Sequence, residues 1–295
     1  MPRFDTGEVT LEYETIGSPQ DPPLLLVPGF GAQLIAWPRP FAERLAAGGR
    51  FVVMFDNRDC GLSSKLDGRG ADTAEVLAAV SAGDLPAARR LAAYTLSEMA
   101  DDGLALLSGL GIERAHVLGA SMGGMIGQTM AIEHPERLLS LTSMMSTTGE
   151  KEFGQATPEA MQVLLTPAPT EREAFIAGAE RAAIWRSRRY PELDAVRALA
   201  AESYDRCFYP EGSTRQFAAM IASGSRAEGL ENLRVPTLVI HGLDDTLIPP
   251  SGGQRTAALI PGARLLLIED MGHDRPRPLW PELCEAILGH TALAG

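Results

Sequence analysis

The sequence predicts an α/β protein in which a mostly parallel sheet is covered by helices on both faces and interrupted by an inserted block of helices. Short apolar runs of strand length alternate with amphipathic stretches of helix length along most of the 295 residues, which is typical of buried parallel strands joined by helices. Between residues 147 and 229 this alternation stops, and only helical patterns follow one another. The chain then returns to the strand pattern, which indicates an insertion within one sheet.

The composition is typical of a globular protein with a large core. Hydrophobic residues make up 45% of the chain and charged residues 22%. The net charge is −12, from 26 basic and 38 acidic residues, which matches nucleic acids and anionic membranes poorly. The apolar runs are too short to cross a bilayer, and the first residues lack the apolar core of a signal peptide. We expect a cytoplasmic protein that neither binds nucleic acid nor inserts into membranes.

The three cysteines are Cys60, Cys207 and Cys284. They lie far apart in the sequence and form no C-x-x-C pair, which argues against both a disulfide framework and a zinc site. We therefore expect reduced, mostly buried thiols and no metal.

Seven segments have the composition of strands. Residues 8–16 alternate apolar and polar side chains, which predicts a half-exposed strand at the edge of the sheet, next to a neighbour near the N-terminus. The other six are apolar runs typical of buried strands, at residues 24–27, 51–55, 115–118, 138–145, 236–242 and 264–268. Helices are predicted at residues 36–47, 96–110, 122–134, 253–260 and 281–290.

The inserted block contains predicted helices at residues 171–187, 191–204 and 215–223. Active sites of open α/β sheets lie beyond the carboxyl ends of the strands. An insertion after the strand at 138–145 leaves the sheet at that edge, so it should cover the site. We therefore assign residues 1–146 and 230–295 to an α/β core and residues 147–229 to a helical cap.

Ser121 lies in the segment Gly119-Ala120-Ser121-Met122-Gly123, between a predicted strand and a predicted helix. Strand, G-x-S-x-G and helix is the context that a nucleophile elbow requires. Its turn is so tight that the serine backbone is strained and only small side chains fit on either side, which the two glycines provide. The turn lifts the hydroxyl above the strand end. Ser121 is therefore the candidate nucleophile.

A serine hydroxyl needs a base within hydrogen-bond reach, and the chain has five histidines. His273 follows the last predicted strand in a glycine-bearing loop at the carboxyl edge of the sheet, where such a base must lie. The other four are less well placed. His116 lies inside a predicted strand, and His241 lies beside Gly242 at a strand end. His134 lies at the far end of the helix after Ser121, and His290 lies in the last helix. His273 is the candidate base.

The base needs an orienting carboxylate, and Asp244 and Asp245 both follow the strand at 236–242. An acid four residues before a proline is the usual arrangement in this kind of fold, which favours Asp245 ahead of Pro249. Asp244 would then cap a turn or a helix. A carboxylate after the preceding strand is an unattractive alternative, because residues 140–149 contain none.

An oxyanion hole requires two N–H donors. Met122 directly follows the candidate nucleophile, and its backbone N–H is one candidate. The second donor should come from the turn after the strand at 24–27, where Gly29 and Gly31 flank Phe30 and allow the backbone to face a substrate. The N–H of Phe30 is the second candidate.

These residues resemble the α/β-hydrolase superfamily, in which the catalytic residues occur in the order Ser, Asp, His. The closer resemblance is to bacterial serine esterases of the aclacinomycin methylesterase type. It rests on residues 56–63, which are similar to the D-x-R-x-x-G-x-S turn of that group, on Gly-Ala-Ser-Met-Gly-Gly at 119–124, on the spacing of Asp245 and Pro249, and on Met-Gly-His at 271–273.

The resemblance spans nearly the whole chain and implies an α/β-hydrolase fold with an eight-stranded, mostly parallel sheet, a helical cap, a Ser-Asp-His triad and no cofactor. Two features depart from it. Pro28 stands where many members have histidine, with little expected effect because the oxyanion donor is backbone. Residues 66–93 form an Ala-rich excursion that is longer than in the methylesterase and could reshape the entrance to the pocket.

We expect a carboxylic ester hydrolase that acts on small-molecule esters as a monomer or a homodimer. Lactonase, perhydrolase or haloperoxidase, amidase and C–C hydrolase chemistry would use the same triad, and a ligand-binding protein on a hydrolase scaffold is a further alternative. Candidate residues for the apolar substrate pocket are Phe30, Met122, Gly29, Gly31, Met144, Met145 and Trp185. Ordinary core packing is an equally good explanation for the methionines.

Overall fold

A computed structural model describes residues 2–70 and 73–294. Eight strands in this part of the chain form one sheet. They are β1 (Arg3–Asp5), β2 (Thr10–Ile16), β3 (Pro23–Val27), β4 (Phe51–Phe55), β5 (Ala115–Ala120), β6 (Leu138–Met144), β7 (Thr237–Gly242) and β8 (Arg264–Ile268).

The strand order across the sheet is β1-β2-β4-β3-β5-β6-β7-β8. The pairs β1–β2 and β2–β4 are antiparallel, and all the other pairs are parallel. The predicted eight-stranded, mostly parallel sheet is confirmed. The carboxyl ends of β3, β5, β7 and β8 consequently meet at one edge, where the loops that follow them can share a site.

The described residues also form twelve α-helices. None of these is long and apolar enough to span a membrane. They are α1 (Arg39–Ala47), α2 (Thr73–Ser81), α3 (Leu85–Leu91), α4 (Leu96–Gly109), α5 (Met122–Glu133), α6 (Pro158–Leu165), α7 (Arg172–Ala179), α8 (Leu193–Arg206), α9 (Pro210–Ser223), α10 (Ala227–Glu231), α11 (Pro250–Leu259) and α12 (Trp280–Leu293).

Two helices of the insertion differ from the sequence prediction. The helix predicted over residues 171–187 ends at Ala179, and a 3-10 turn (Glu180–Trp185) follows it. The helix predicted over 215–223 begins at Pro210, because proline fits the first turn of a helix, where its missing N–H is not needed.

The core lies in two layers, one on each face of the sheet. Leu25 and Val27 of β3 pack into one layer, and Leu24 and Leu26 of the same strand pack into the other. This alternation follows from the two-residue period of a strand, and it explains why the buried strands are apolar throughout. Helices α4 and α5 cover the first layer, and α1 and α12 cover the second.

The excursion at residues 66–93 packs on the helical insertion, which is the segment between β6 and β7. Val76 of α2 and Ala88 of α3 form a small buried cluster with Ala218 and Ala222 of α9. Residues 71 and 72 of the excursion lie outside the described residues.

Two buried ion pairs join the helical insertion to the loop after β4. The Arg215 guanidinium of α9 donates two hydrogen bonds of 2.8 Å to the Asp59 carboxylate. Arg206 of α8 lies 2.7 Å from Asp56, whose other oxygen accepts the N–H of Leu34. The carboxylates of the D-x-R-x-x-G-x-S turn therefore hold the insertion against the sheet edge.

Candidate active site

Ser121 lies on a strained turn between β5 and α5, with φ of 56° and ψ of −121°. The neighbouring backbones leave no room for side chains on either side of it. A Cβ at Gly119 would lie 2.0 Å from the carbonyl oxygen of Gly123, and a Cβ at Gly123 would lie 2.1 Å from that of Val27. Both positions of the G-x-S-x-G motif therefore require glycine.

The end of β6 holds the backbone of Ser121 from the other side. The Ser121 N–H donates to the carbonyl oxygen of Met144 at 2.9 Å, and the Ser146 hydroxyl donates to the carbonyl oxygen of Ser121 at 2.8 Å. Gly124 packs so closely on Ser146 that a Cβ there would lie 2.6 Å from the serine Cβ. These contacts maintain a conformation that a serine would otherwise avoid.

His273 and Asp245 are joined by a hydrogen bond of 2.7 Å between Nδ1 and Oδ2. Asp245 is 3% exposed, and its Oδ1 accepts the N–H groups of Leu247 and Ile248 at 2.9 Å each. These three bonds fix the carboxylate and orient the imidazole. The bond at Nδ1 leaves Nε2 as the nitrogen available to a proton donor.

Asp244 has a different environment. Its Oδ2 accepts the backbone N–H of Arg188 at 3.3 Å, and its N–H donates to the carbonyl oxygen of Met271 at 2.8 Å. Asp244 therefore joins the helical insertion to the loop after β8, and Asp245 alone of the two contacts the imidazole of His273.

Two imidazoles influence the pKa of Asp245. Burial acts to raise this pKa, but the charge and hydrogen bond of His273 and the hydrogen bond of His241 outweigh burial and leave the pKa below its ordinary value. His241 Nε2 lies 3.5 Å from Asp245 Oδ2 and donates to the carbonyl oxygen of Ile248 at 2.6 Å. His241 therefore supports the loop that carries the carboxylate, which remains ionised.

The helical insertion holds the loop that carries His273. The His273 N–H donates to the carbonyl oxygen of Trp185 at 2.6 Å. Asp274 Oδ1 accepts the N–H groups of Ser187 and Gly272 at 3.0 and 3.1 Å, and its Oδ2 lies 3.3 Å from Arg186. The position of the imidazole consequently depends on packing between the insertion and the core.

The remaining histidines lie away from Ser121, as the sequence predicts. His116 is buried in β5 beside the hydroxyl of Ser140, and burial lowers its pKa to about 4. His134 pairs with Asp101 at the surface, and His290 lies against the carbonyl oxygen of Leu141.

The two candidate oxyanion donors lie on either side of Ser121. Met122 is the first residue of α5, and the loop of Phe30 approaches so closely that a Cβ at Gly29 would lie 3.2 Å from the Ser121 Cβ. Neither the Met122 N–H nor the Phe30 N–H donates to an acceptor within residues 2–70 and 73–294. Both N–H groups therefore stay candidates for the oxyanion hole, and Met122 lies at the positive end of the α5 dipole.

A cavity of about 350 Å³ is lined by Ser121 and His273. Four residues of the predicted pocket also line it, namely Gly29, Phe30, Met145 and Trp185. Gly31 and Met144 do not line it, which corrects the prediction for these two residues. Gly31 turns away and donates its N–H to Gln216, whereas Met144 is part of β6 and is buried in the core. Met122 is also buried in the core, so only its backbone can contribute to the site.

Sequence reasoning missed several other residues that line the cavity. Met161 and Leu164 of α6 point into it at helical spacing, and that spacing is the only signal the sequence offers for them. Arg275 follows His273 by two residues and could have been found from that proximity. The missed residues are Pro28, Ala32, Ala36, Trp37, Ala120, Met125, Thr147, Gly154, Gln155, Ala156, Met161, Leu164, Met220, Leu247, Ile248 and Arg275.

The described part of the chain brings together no group of three His, Cys, Asp or Glu residues that could hold a metal ion. The three cysteines are free, and burial raises the pKa of the Cys60 thiol to about 12. The cavity that contains Ser121 also contains His273, which is hydrogen-bonded to Asp245.

A family model described as the alpha/beta hydrolase fold matches residues 22–274. The chain therefore belongs to the α/β-hydrolase fold family, and the predicted membership is confirmed.

The chain is 33% identical to rhodomycin D methylesterase DnrP of Streptomyces peucetius, over 97% of this chain and 96% of that protein. Among solved structures, the enol-lactonase from Burkholderia xenovorans LB400 superposes with a TM-score of 0.74 at 22% identity, over 99% of this chain and 100% of that one. The meta-cleavage product hydrolase from Pseudomonas fluorescens IP01 superposes with a TM-score of 0.73 at 20% identity, over 100% of this chain and 98% of that one. The two structures share the fold, and the methylesterase relative identifies this chain as a hydrolase of the esterase type.

The packing at Ser121 predicts a large difference between two Gly→Ala variants. In Gly123→Ala the new methyl group would overlap the Val27 carbonyl, so we expect a loss of several kcal/mol of stability or failure to fold. Gly289 lies in α12 with no atom within 4 Å of an added Cβ, so Gly289→Ala should raise Tm by about 1–3 °C through helix propensity. Calorimetry measures both. A Gly123→Ala protein as stable as the wild type would contradict the described packing.

Proposed function

We propose that this protein is a carboxylic ester hydrolase that works through an acyl-enzyme intermediate on a triad of Ser121, Asp245 and His273. The observation that carries the proposal is the hydrogen bond between His273 and the buried Asp245, in the same cavity as the strained Ser121. A base that is oriented by an ionised carboxylate and shares a cavity with a serine hydroxyl is the combination that serine nucleophiles require.

Acylation begins with attack of Ser121 Oγ on the ester carbonyl carbon. His273 Nε2 takes the hydroxyl proton, because Nδ1–H is engaged by Asp245. The carboxylate holds this tautomer and stabilises the imidazolium that forms. The depressed pKa of Asp245 keeps it ionised throughout.

The tetrahedral intermediate places its negative charge on the former carbonyl oxygen. The N–H groups of Phe30 and Met122 donate to this oxygen, and the α5 dipole adds to the stabilisation. Both donors belong to rigid backbone, so little reorganisation is needed when the charge forms. Removing one donor of this kind typically costs about 100- to 1,000-fold in kcat.

His273 then returns the proton to the leaving alcohol oxygen, and the acyl-enzyme remains. For deacylation His273 takes a proton from water, whose oxygen attacks the acyl carbon. Collapse of the second intermediate returns the proton to Ser121 Oγ and releases the carboxylic acid.

The helical insertion (residues 147–229) would act as the cap domain over this site, on the core formed by residues 1–146 and 230–295. It supplies Met161, Leu164, Trp185 and Met220 to the cavity. Such a lining excludes water and favours a small-molecule ester with an apolar portion. The identity to a protein named rhodomycin D methylesterase supports a methyl ester as one candidate substrate.

Hydrolysis of a p-nitrophenyl ester series from acetate to laurate tests the proposal. Wild type should turn over at least the short esters, and Ser121→Ala should lose about 10⁴-fold or more in kcat/KM because the nucleophile is gone. Ser213→Ala removes a hydroxyl on α9 that does not line the cavity, and it should keep wild-type activity. Absence of turnover on every ester, including methyl esters of bulky acids, would contradict the proposal and favour lactone, peroxide, amide or C–C chemistry, or ligand binding alone.

The two neighbouring aspartates provide a matched test of the triad. Asp245→Asn should lower kcat about 10⁴-fold, because an amide favours the wrong tautomer of His273. Asp244→Asn makes the same chemical change at a carboxylate that contacts Arg188 instead of the imidazole, and it should lower kcat less than about 3-fold. Steady-state kinetics on p-nitrophenyl acetate measures both. Equal losses in the two variants would count against Asp245 as the orienting acid.

A further inference from the structure

Arg275 brings a permanent charge into an otherwise largely apolar cavity. The described residues that line the cavity include no other Arg or Lys and no Asp or Glu. Arg275 lies in the loop after β8, two residues beyond His273, and its neighbours at the cavity wall include Ala36 and Trp37. A cation at the wall of the cavity that contains Ser121 therefore needs a physical explanation.

The Arg275 guanidinium has few partners within the described protein. Its Nη2 donates to the carbonyl oxygen of Ala36 at 2.8 Å, and its central carbon lies 4.3 Å from the centre of the Trp37 ring. Its Nε is buried with no hydrogen-bond partner, and no carboxylate of the described residues lies within ion-pair distance. One neutral acceptor and one aromatic face are weak compensation for a partly buried charge.

The nearest acidic residue along the chain is already engaged elsewhere. Asp274 Oδ1 accepts the N–H groups of Ser187 and Gly272, and Oδ2, which has no hydrogen-bond partner among the described residues, lies 3.3 Å from the guanidinium of Arg186. Asp274 therefore gives Arg275 only a longer-range attraction. Burial lowers the pKa of Arg275 to about 10, so the group keeps its positive charge at neutral pH.

The buried Arg226 shows what a purely structural role looks like in this fold. Arg226 also lacks a carboxylate partner among the described residues, but all three of its nitrogens donate hydrogen bonds. The acceptors are the side chain of Gln128 and the carbonyl oxygens of Gly224 and Thr147. Arg226 is thus satisfied by the protein, whereas Arg275 retains unused donors beside a cavity.

We propose that Arg275 determines specificity by binding a second, anionic oxygen group of the substrate, so that the cavity selects esters that also carry a carboxylate. This inference rests on the proposed ester hydrolysis. A guanidinium matches a carboxylate in geometry and charge, and in a cavity with apolar walls such a pair is little screened by water. The substrate carboxylate accepts hydrogen bonds from the Arg275 guanidinium, for which the protein itself provides only the carbonyl oxygen of Ala36. The ester carbonyl of the same substrate lies at Ser121.

Matched pairs of esters test this selectivity. The monomethyl esters of succinic, glutaric, adipic and suberic acids each carry one carboxylate, and the corresponding dimethyl esters carry none. At the chain length that spans Ser121 and Arg275, wild type should hydrolyse the monoester with a kcat/KM about 10-fold or more above that of the diester. Arg275→Met should lower kcat/KM for the monoester by about 10- to 100-fold and change the diester by less than about 3-fold.

Two further variants separate charge recognition from structure. Arg275→Lys keeps the positive charge and should retain part of the preference. Arg90 is exposed on α3 and does not line the cavity. Arg90→Met therefore removes one positive charge outside the cavity and should leave the preference for monoesters unchanged.

The inference would be overturned by diesters that react as fast as monoesters at every chain length. It would also be overturned by an Arg275→Met variant that loses activity on both esters equally, which is the signature of a structural role. Neutral hydroxy- or keto-substituted methyl esters that match the monoesters and depend equally on Arg275 would exclude selection for a carboxylate. Normal turnover of p-nitrophenyl acetate alongside any of these results would leave the proposed esterase function intact, so the two failures are distinguishable.

Discussion

The backbone turn at Ser121 is the constraint on which the rest of the structure depends. A serine with positive φ persists only where its surroundings leave no alternative, and here backbone atoms of β3, β6 and α5 meet around it. Gly119 and Gly123 permit contacts that no other residue type allows. Ser121 consequently lies at the carboxyl edge of the sheet, at the start of α5, where it lines the cavity.

Parallel strands bring the other candidate site residues to the same edge. Asp245 follows β7, His273 follows β8 and Phe30 follows β3, so a single sheet register determines their relative positions. The helical insertion completes the arrangement, since the carbonyl oxygen of Trp185 accepts the backbone N–H of His273. The ion pair of Arg215 with the loop after β4 fixes the insertion in turn. Cavity shape and imidazole position are therefore coupled through one set of contacts.

Much of this fold could be predicted from the sequence, because strand ends and glycine turns are local features. The motif around Ser121 and the loop of His273 are read directly from neighbouring residues. Lining residues could be predicted only in part, because the orientation of each side chain in the folded protein decides which of them reach the cavity. Met144 was expected there but is buried in the core, and Arg275 was missed although it lies beside His273. The direction in which a side chain points relative to a cavity depends on tertiary packing, so it cannot be predicted from the spacing or composition of the sequence.

Covalent labelling with a fluorophosphonate, followed by mass spectrometry of the digested protein, tests the central claim most directly. The reagent reacts with a serine that is activated by a neighbouring base, and an oxyanion hole stabilises the phosphonyl oxygen during the attack. We predict one adduct, on the peptide that contains Ser121, lost in Ser121→Ala and formed at least about 100-fold more slowly in His273→Gln. An adduct on another residue, or an unchanged labelling rate in His273→Gln, would contradict the account.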